Sequence, residues 1–325
     1  MPYPLRFTPI YFEKVWGGRR FSSVIGRTIP AGPIGESWEV SVHPHGLSVV
    51  ADGADAGMTL GDVIARDPTA ILGRRVVAQS GTEFPLLVKY IDAEDALSVQ
   101  VHPDDAYGKA HAGELGKTEM WYVLHAEPGS CLIAGLEPGV TREQFQAALA
   151  GGDPGKLLHR IPVATGDSIF IPAGRIHAIM PGLTILEIQQ NSDTTYRLYD
   201  WNRPGLDGQH RELHVEQALE VSNWTDYAPT SAVEAPVGNE GGSSTTLARC
   251  PYFVVEKLEI NDELTSATDG ETFVTVTCVR GTGILTWADG YERLNLGDSF
   301  LLPATLRNYS LLPDDDATFI ISYVP

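Results

Sequence analysis

The sequence predicts a mainly β chain folded as two antiparallel jelly-roll barrels, with helices inserted in the N-terminal part. Three observations carry that expectation. Short apolar runs alternate with turn residues along most of the 325 residues, with Gly 33 and Pro 22 supplying the punctuation. Near the C-terminus, Asp289-Gly290 sits between strand-like residues, a hairpin signal. The stretch "GDSIFIPAGRIHAI" at 166–179 is echoed by "GDSFLLPATLRNYSL" at 297–311, so one supersecondary unit is used twice.

In chain order, "FPLLVKYIDAEDALSVQVH" (84–102) reads as two strands around a polar loop from Asp92 to Asp95. "EMWYVLHAEPGSCLIAGL" gives two more around Pro128-Gly129. In "TREQFQAALAGGDP", Thr141 and Gln144 have capping-box spacing and Gly151-Gly152 end the element, which predicts a helix. "GDSIFIPAGRIHAIMPGLTILEIQQ" returns to strands around Pro181-Gly182, and "RELHVEQALEVSNW" predicts a second helix. Residues 228–246 are small, polar and rich in Pro and Gly, the composition of a linker or exposed loop. "YFVVEKLEI", "TFVTVTCV", "GILTWADGYERL", "SFLLP" and "ATFIISYV" then form the second barrel. The expected domains are 1–228, which carries the helices, a linker at 229–246, and a second barrel at 247–325.

Composition excludes some partners. Lys+Arg 23 against Asp+Glu 42 gives a net charge of −19, which excludes a nucleic-acid or anionic-membrane surface. An anionic small substrate would need a local group of cations. Cys131, Cys250 and Cys278 are odd in number and widely spaced, as in a reducing compartment. The N-terminus has no apolar leader and no run reaches membrane-spanning length, so a cytoplasmic location is expected.

Polar residues in unusual places mark the candidate site. In "LSVQVHPDD", Ser98, Gln100 and His102 alternate with apolar residues and share one strand face. "KTEMWYVL" puts Lys117 and Glu119 on one face of another strand, and His177 follows "IPAGRI" at a turn. Two neutral imidazoles, one carboxylate and one amide oxygen make a four-ligand set for a divalent cation. A lone histidine in a strand is more often a core or surface residue, and the other seven histidines are read that way. Counting five residues past Pro172 and Pro303 gives His177 in one copy and Asn308 in the other, so only the first barrel is expected to bind metal, one ion per chain. In "LEIQQNSDTTYRLYDWNR", a turn centred on Gly182 would set Glu187 across from His177, while Thr195, Arg197 and Tyr199 share a face.

Together, "KVWGGRRF", "GESWEVSVHPHGLSVV", "FPLLVKYIDAEDALSVQVHPDD", "GKTEMWYVL", "GDSIFIPAGRIHAI" and "QQNSDTTYRLYDWNR" resemble the type I mannose-6-phosphate isomerases, a branch of the cupins, in their short bacterial form. The resemblance spans most of residues 10–203. It implies two cupin-like barrels and zinc held by Gln100, His102, Glu119 and His177. It also implies a catalytic Arg197, and a substrate phosphate near Ser98 and Arg203. Longer members carry lysine at the Arg203 position, and the family's common Lys-Pro-Glu is Lys-Thr-Glu here, at Lys117–Glu119. Trp16, in "KVWGGRRF", is expected at the substrate.

The reaction so implied moves a proton between C1 and C2 of mannose 6-phosphate and fructose 6-phosphate through a cis-enediol. Lys117 would orient or protonate an oxygen, and Glu187, or in second place a zinc-bound hydroxide, would carry the proton. Three rivals stand beside it: an isomerase of unphosphorylated sugars, an iron dioxygenase on His102, Glu119 and His177, and a non-catalytic sugar-binding regulator. The expected partner is a small sugar phosphate, with no nucleic acid and no membrane, for a monomer or weak homo-oligomer.

Overall fold

The structure, a computed structural model, describes residues 2–227 and 233–325. It is mainly β, as expected. The chain forms two compact units: one contains residues up to 10, 38–89 and those from 233 on, and the other contains 11–37 and 90–227.

In the second of these, the strands are β1 (Leu86–Ala93, which begins in the other unit), β2 (Val99–Val101), β3 (Glu119–Ala126), β4 (Cys131–Leu136), β5 (Leu158–Pro162), β6 (Ser168–Ile171), β7 (His177–Ile179), β8 (Leu183–Gln190) and β9 (Tyr196–Tyr199). One sheet has the order β5-β4-β7-β2-β9, and another contains β6-β3-β8-β1. β8 is buried along all eight residues, which is why "LTILEIQQ" is nearly continuous in apolar character until its polar end. A core of Trp121, Ile171, Ile179 and Ile185 and another of Val101, Ile133, Phe145 and Leu198 fill this unit. Gly17 is required sterically: a Cβ there would lie 2.5 Å from the Gly35 backbone nitrogen.

The expected helix is present at Arg142–Ala150, with the Thr141–Gln144 capping box formed in both directions. The second expected helix is shorter than read, Val215–Val221. Asp92 is not in a polar loop. It lies in β1, fully buried, and its Oδ2 accepts from the Arg20 backbone N–H at 2.6 Å.

The other unit holds β10 (Val254–Ile260), β11 (Leu264–Ala267), β12 (Val274–Arg280), β13 (Gly283–Trp287), β14 (Gly290–Leu294), β15 (Ser299–Leu302), β16 (Asn308–Pro313) and β17 (Ala317–Tyr323). Its sheets run β14-β13-β16-β11 and β15-β12-β17-β10, the same orders as β5-β4-β7-β2 and β6-β3-β8-β1. The echo read in sequence is thus a repeat of topology, with each strand of the second copy nine labels beyond its counterpart. Phe300, Phe319, Leu285 and Val276 centre its core.

The division at 228 and 247 differs from this partition in two ways. Leu5–Thr8 pairs with β15, and Val49–Val50 pairs with Leu5–Thr8, so early residues extend the second barrel's sheet. Of the expected linker, residues 228–232 lie outside the described residues. Val237–Asn239 and Gly242–Arg249 are strands, and the latter pairs with β10 from Gly242↔Ile260 to Arg249↔Val254. Its Thr245 and Leu247 are buried. A sheet edge with unpaired backbone groups takes up such a segment despite its loop-like composition.

Candidate metal centre

Backbone register builds the centre. In the five-stranded sheet, His177 of β7 lies opposite Gln100 of β2, and Gln100 lies opposite Arg197 of β9. Residues directly opposite in paired strands project to the same face, so His177, Gln100 and Arg197 form one row. In the other sheet, Glu119 lies opposite Gln189, and Glu187 opposite Trp121.

His102, Glu119 and His177 come together as a group able to hold a metal ion, with donor atoms within 4.8 Å of one another. All three are buried. His102 Nδ1 donates to the Thr194 carbonyl at 2.9 Å, and His177 Nδ1 donates to the Arg175 carbonyl at 2.8 Å. A carbonyl oxygen only accepts, so both rings carry their proton on Nδ1 and present Nε2 as a lone pair. His177 Nε2 is 3.3 Å from Glu119 Oε1, and His102 Nε2 is 3.6 Å from Glu119 Oε2. Neither His177 Nε2 nor Glu119 Oε1 has a hydrogen-bond partner. Acceptors turned toward one another in a buried place need a cation between them. Burial pushes the His177 imidazole down to about 3, so it stays in the neutral form a metal requires.

Lys117 is the protein's own cation at this place. Its Nζ contacts Glu119 Oε2, donates to Glu187 Oε1 at 2.9 Å and lies 3.1 Å from His102 Nε2. Burial, followed by the neighbouring Glu187 carboxylate, raises the Glu119 pKa, and Lys117 opposes that rise. One ammonium for two carboxylates leaves an excess of negative charge for a divalent ion to neutralise.

Glu187 reaches this cluster by a different route from the one expected. The turn at Pro181-Gly182 does not fold β7 and β8 into a hairpin; it carries the chain from one sheet to the other. Glu187 therefore is not paired with His177. It meets the site through Lys117.

Arg197 is half-buried. Its Nη1 donates to the Glu212 carbonyl at 2.7 Å, its Nε is buried without a partner, and its pKa is lowered by burial and then by Arg211. Arg203 is held by two carboxylates, Asp95 Oδ2 and Asp200 Oδ1, each at 3.0 Å. The turn that carries it is unusual: Trp201 and Asn202 have φ of 57° and 52°, and the Trp201 indole donates to the Leu97 carbonyl at 2.7 Å. That bond anchors the turn beside Ser98, which is buried. Trp16, expected at the substrate, belongs to the core instead: it is 4% exposed and clusters with Ile91, Leu97 and Trp121.

Asp200 and Arg211 were missed in sequence. Arg211 Nε and Nη2 grip Asp200 at 2.7 and 2.6 Å, so one buried carboxylate holds two arginines. Only a strand-end aspartate followed by several arginines hinted at this. Among the described residues, no helix is long and apolar enough to cross a membrane.

Comparison with known proteins finds relatives along nearly the whole chain. The family description "Phosphomannose isomerase type I, catalytic domain" matches residues 5–134, and "Mannose-6-phosphate isomerase, cupin domain" matches 243–324. The chain is 39% identical to a mannose-6-phosphate isomerase of Streptococcus mutans over 99% of each chain. It is 36% identical to one of Bacillus subtilis over 95% of each. The crystal structure of mannose 6-phosphate isomerase from Bacillus subtilis superposes with a TM-score of 0.89 at 34% identity, covering 98% of this chain and 99% of that one.

Proposed function

The chain belongs to the type I phosphomannose isomerase family, and from that premise we propose that it interconverts mannose 6-phosphate and fructose 6-phosphate with one zinc ion, held by Gln100, His102, Glu119 and His177. The observation that carries the metal assignment is the pair of partnerless acceptors, His177 Nε2 and Glu119 Oε1, 3.3 Å apart in a buried site. Nitrogen and oxygen donors with a single carboxylate suit zinc. Bound there, zinc would act as a Lewis acid toward the sugar oxygens at C1 and C2.

The chain's own residues account for the remaining chemistry. A base takes the proton from C2 of the open-chain aldose while O1 gains one, leaving a cis-enediol; the carbon proton is then returned to C1 as O2 gives up its own, which forms the ketose. Glu187 is the proposed carrier; buried in the site, it accepts from Lys117 Nζ at 2.9 Å. Lys117 also holds a proton it can offer to whichever oxygen gains negative charge. Arg197 stabilises that developing charge from the adjacent strand, with its partnerless Nε available to an oxygen. Ser98 and Arg203 receive the phosphate, whose charge would otherwise meet a chain of net charge −19.

A second reading has one specific observation in its favour. Arg203 is already neutralised by Asp95 and Asp200, a pairing that suits a site for free sugars. The deciding experiment gives the zinc-loaded protein mannose 6-phosphate and free mannose in parallel and follows the ketose by NMR. Faster turnover of the phosphorylated sugar is expected. Turnover of free mannose alone would replace the phosphate assignment, and turnover of neither would remove the isomerase reading.

A further inference from the structure

The second barrel carries a cavity of about 290 Å³, bounded by residues 256–323 together with Arg75. Strand register fixes which residues of the two barrels correspond. Ile171 lies opposite Glu119, and its counterpart Leu302 lies opposite Val274. His177 lies opposite Gln100 on the face that carries Ile179, and the inward residues of β16 are Tyr309 and Leu311, with Tyr309 opposite Ser266. Stepping two residues along each strand then carries His102 onto Thr268, Lys117 onto Thr272 and Ser98 onto Leu264. Leu264, Ser266, Thr268, Thr272, Val274 and Tyr309 all line the cavity. The cavity is therefore the second barrel's copy of the metal centre, with hydroxyl, phenol and aliphatic side chains where ligands stand in the first.

The chemistry of its lining is that of a different ligand. Glu256 accepts from the Tyr323 hydroxyl at 3.1 Å, the Thr268 hydroxyl accepts from the Arg307 backbone N–H at 2.9 Å, and Ser266 and Thr272 add two more hydroxyls. Arg75 donates through Nη2 to the Val324 carbonyl at 3.1 Å, while its Nε is buried without a partner. Leu264, Val274, Leu311 and Ile321 supply an apolar wall. Exposed Thr265, Ser266 and Ala267 form the open side. Two carboxylates, Glu256 and Asp269, against one guanidinium disfavour an anion. A size near the lower end of ligand pockets (~300–1,000 Å³) and hydroxyl-bonding groups facing apolar ones suit a small molecule with hydroxyls on one face and C–H on another.

We propose that this cavity binds a neutral polyhydroxy compound of monosaccharide size, a free sugar or sugar alcohol without phosphate, at a site separate from the metal centre. The test uses the full zinc-loaded chain and D-mannitol, which has no carbonyl to isomerise, with saturation-transfer NMR as the readout. Mannitol should receive saturation from the wild type and equally from His102→Ala, which lacks the metal centre. Ser266→Tyr, which fills the cavity from its open side, should abolish the signal. Glu256→Gln should weaken binding about tenfold through loss of a charged acceptor. Both variants should turn over mannose 6-phosphate at wild-type rate, and thermal melting verifies their fold; if Ser266→Tyr does not fold, Glu256→Gln decides. No transfer to mannitol in the wild type, an unchanged signal in the folded variants, or loss of the signal in His102→Ala would each overturn the proposal.

Discussion

The two barrels repeat one strand order, yet corresponding positions hold opposite chemistry. At the first, His102, Glu119 and His177 converge with Lys117 among them. At the second, Thr268, Val274 and Tyr309 stand in their places, and Asn308, the residue five past Pro303, is exposed and faces away. The scaffold itself thus specifies no catalyst; it offers a row of inward positions on paired strands. What turns such a row into a metal site is a set of acceptors whose other atoms are already satisfied, as the Nδ1 bonds of both histidines are.

The contrast breaks most visibly at His102. Replacing it by Ala should remove the metal and lower turnover by on the order of a thousandfold or more, since Lewis-acid stabilisation contributes several kcal/mol. Elemental analysis of the wild type should give one zinc per chain; two would mean that the second barrel binds metal after all. Next in size is Arg197→Ala, expected to cost about a hundredfold in kcat or more while leaving metal content and melting temperature intact. Wild-type turnover in that variant would reduce Arg197 to a sheet residue bonded to the Glu212 carbonyl.

Arg203→Ala should act more mildly, raising KM for mannose 6-phosphate about tenfold, as befits one charged contact of roughly 1.5–3 kcal/mol, with free mannose unaffected. Equal losses on both sugars would make Arg203 a brace for the turn at Trp201-Asn202. The smallest effect on turnover, and the sharpest test of the comparison, comes from grafting Ser266→Gln, Thr268→His, Val274→Glu and Tyr309→His together. Catalysis should not change, but a second equivalent of zinc should bind, weakly, by calorimetry. Absence of that second equivalent would show that register alone does not supply the orienting carbonyls.

Much of this was legible in the sequence because strand alternation is a strict rule. Alternation puts Ser98, Gln100 and His102 on one face, and the echo of "GDSIFIP" in "GDSFLLP" foretells the repeat of strand order, although the inward counterpart of His177 is Tyr309 rather than Asn308. Alternation is silent about which strands become neighbours. Glu187 was assigned to a hairpin partner of His177 because a Pro-Gly turn looks the same whether it reverses a strand within a sheet or passes to the facing one. Trp16 was read from its motif, and a motif does not distinguish a residue that touches substrate from one that packs behind the site. Residues 242–246 look like linker because Gly, Ser and Thr are turn formers, yet the open edge beside β10 decides their conformation. Asp200 was invisible for another reason: its two arginine partners are set by a turn with two left-handed residues, neither of them glycine.

Leu5–Thr8 closes one edge of the second barrel by pairing with β15, Leu5 against Leu301 and Arg6 against Phe300. On the ribosome, this strand must wait for a partner made long after it. The first barrel's strands, from β2 to β9, emerge in an unbroken run and can pair as they appear. The second barrel's sheet becomes complete only once β15 has been made, and such distant pairing is slow to form. Until then, "LRFT" has only the short Val49–Val50 strand beside it, and its other edge is open to capture by a neighbouring copy or by a chaperone.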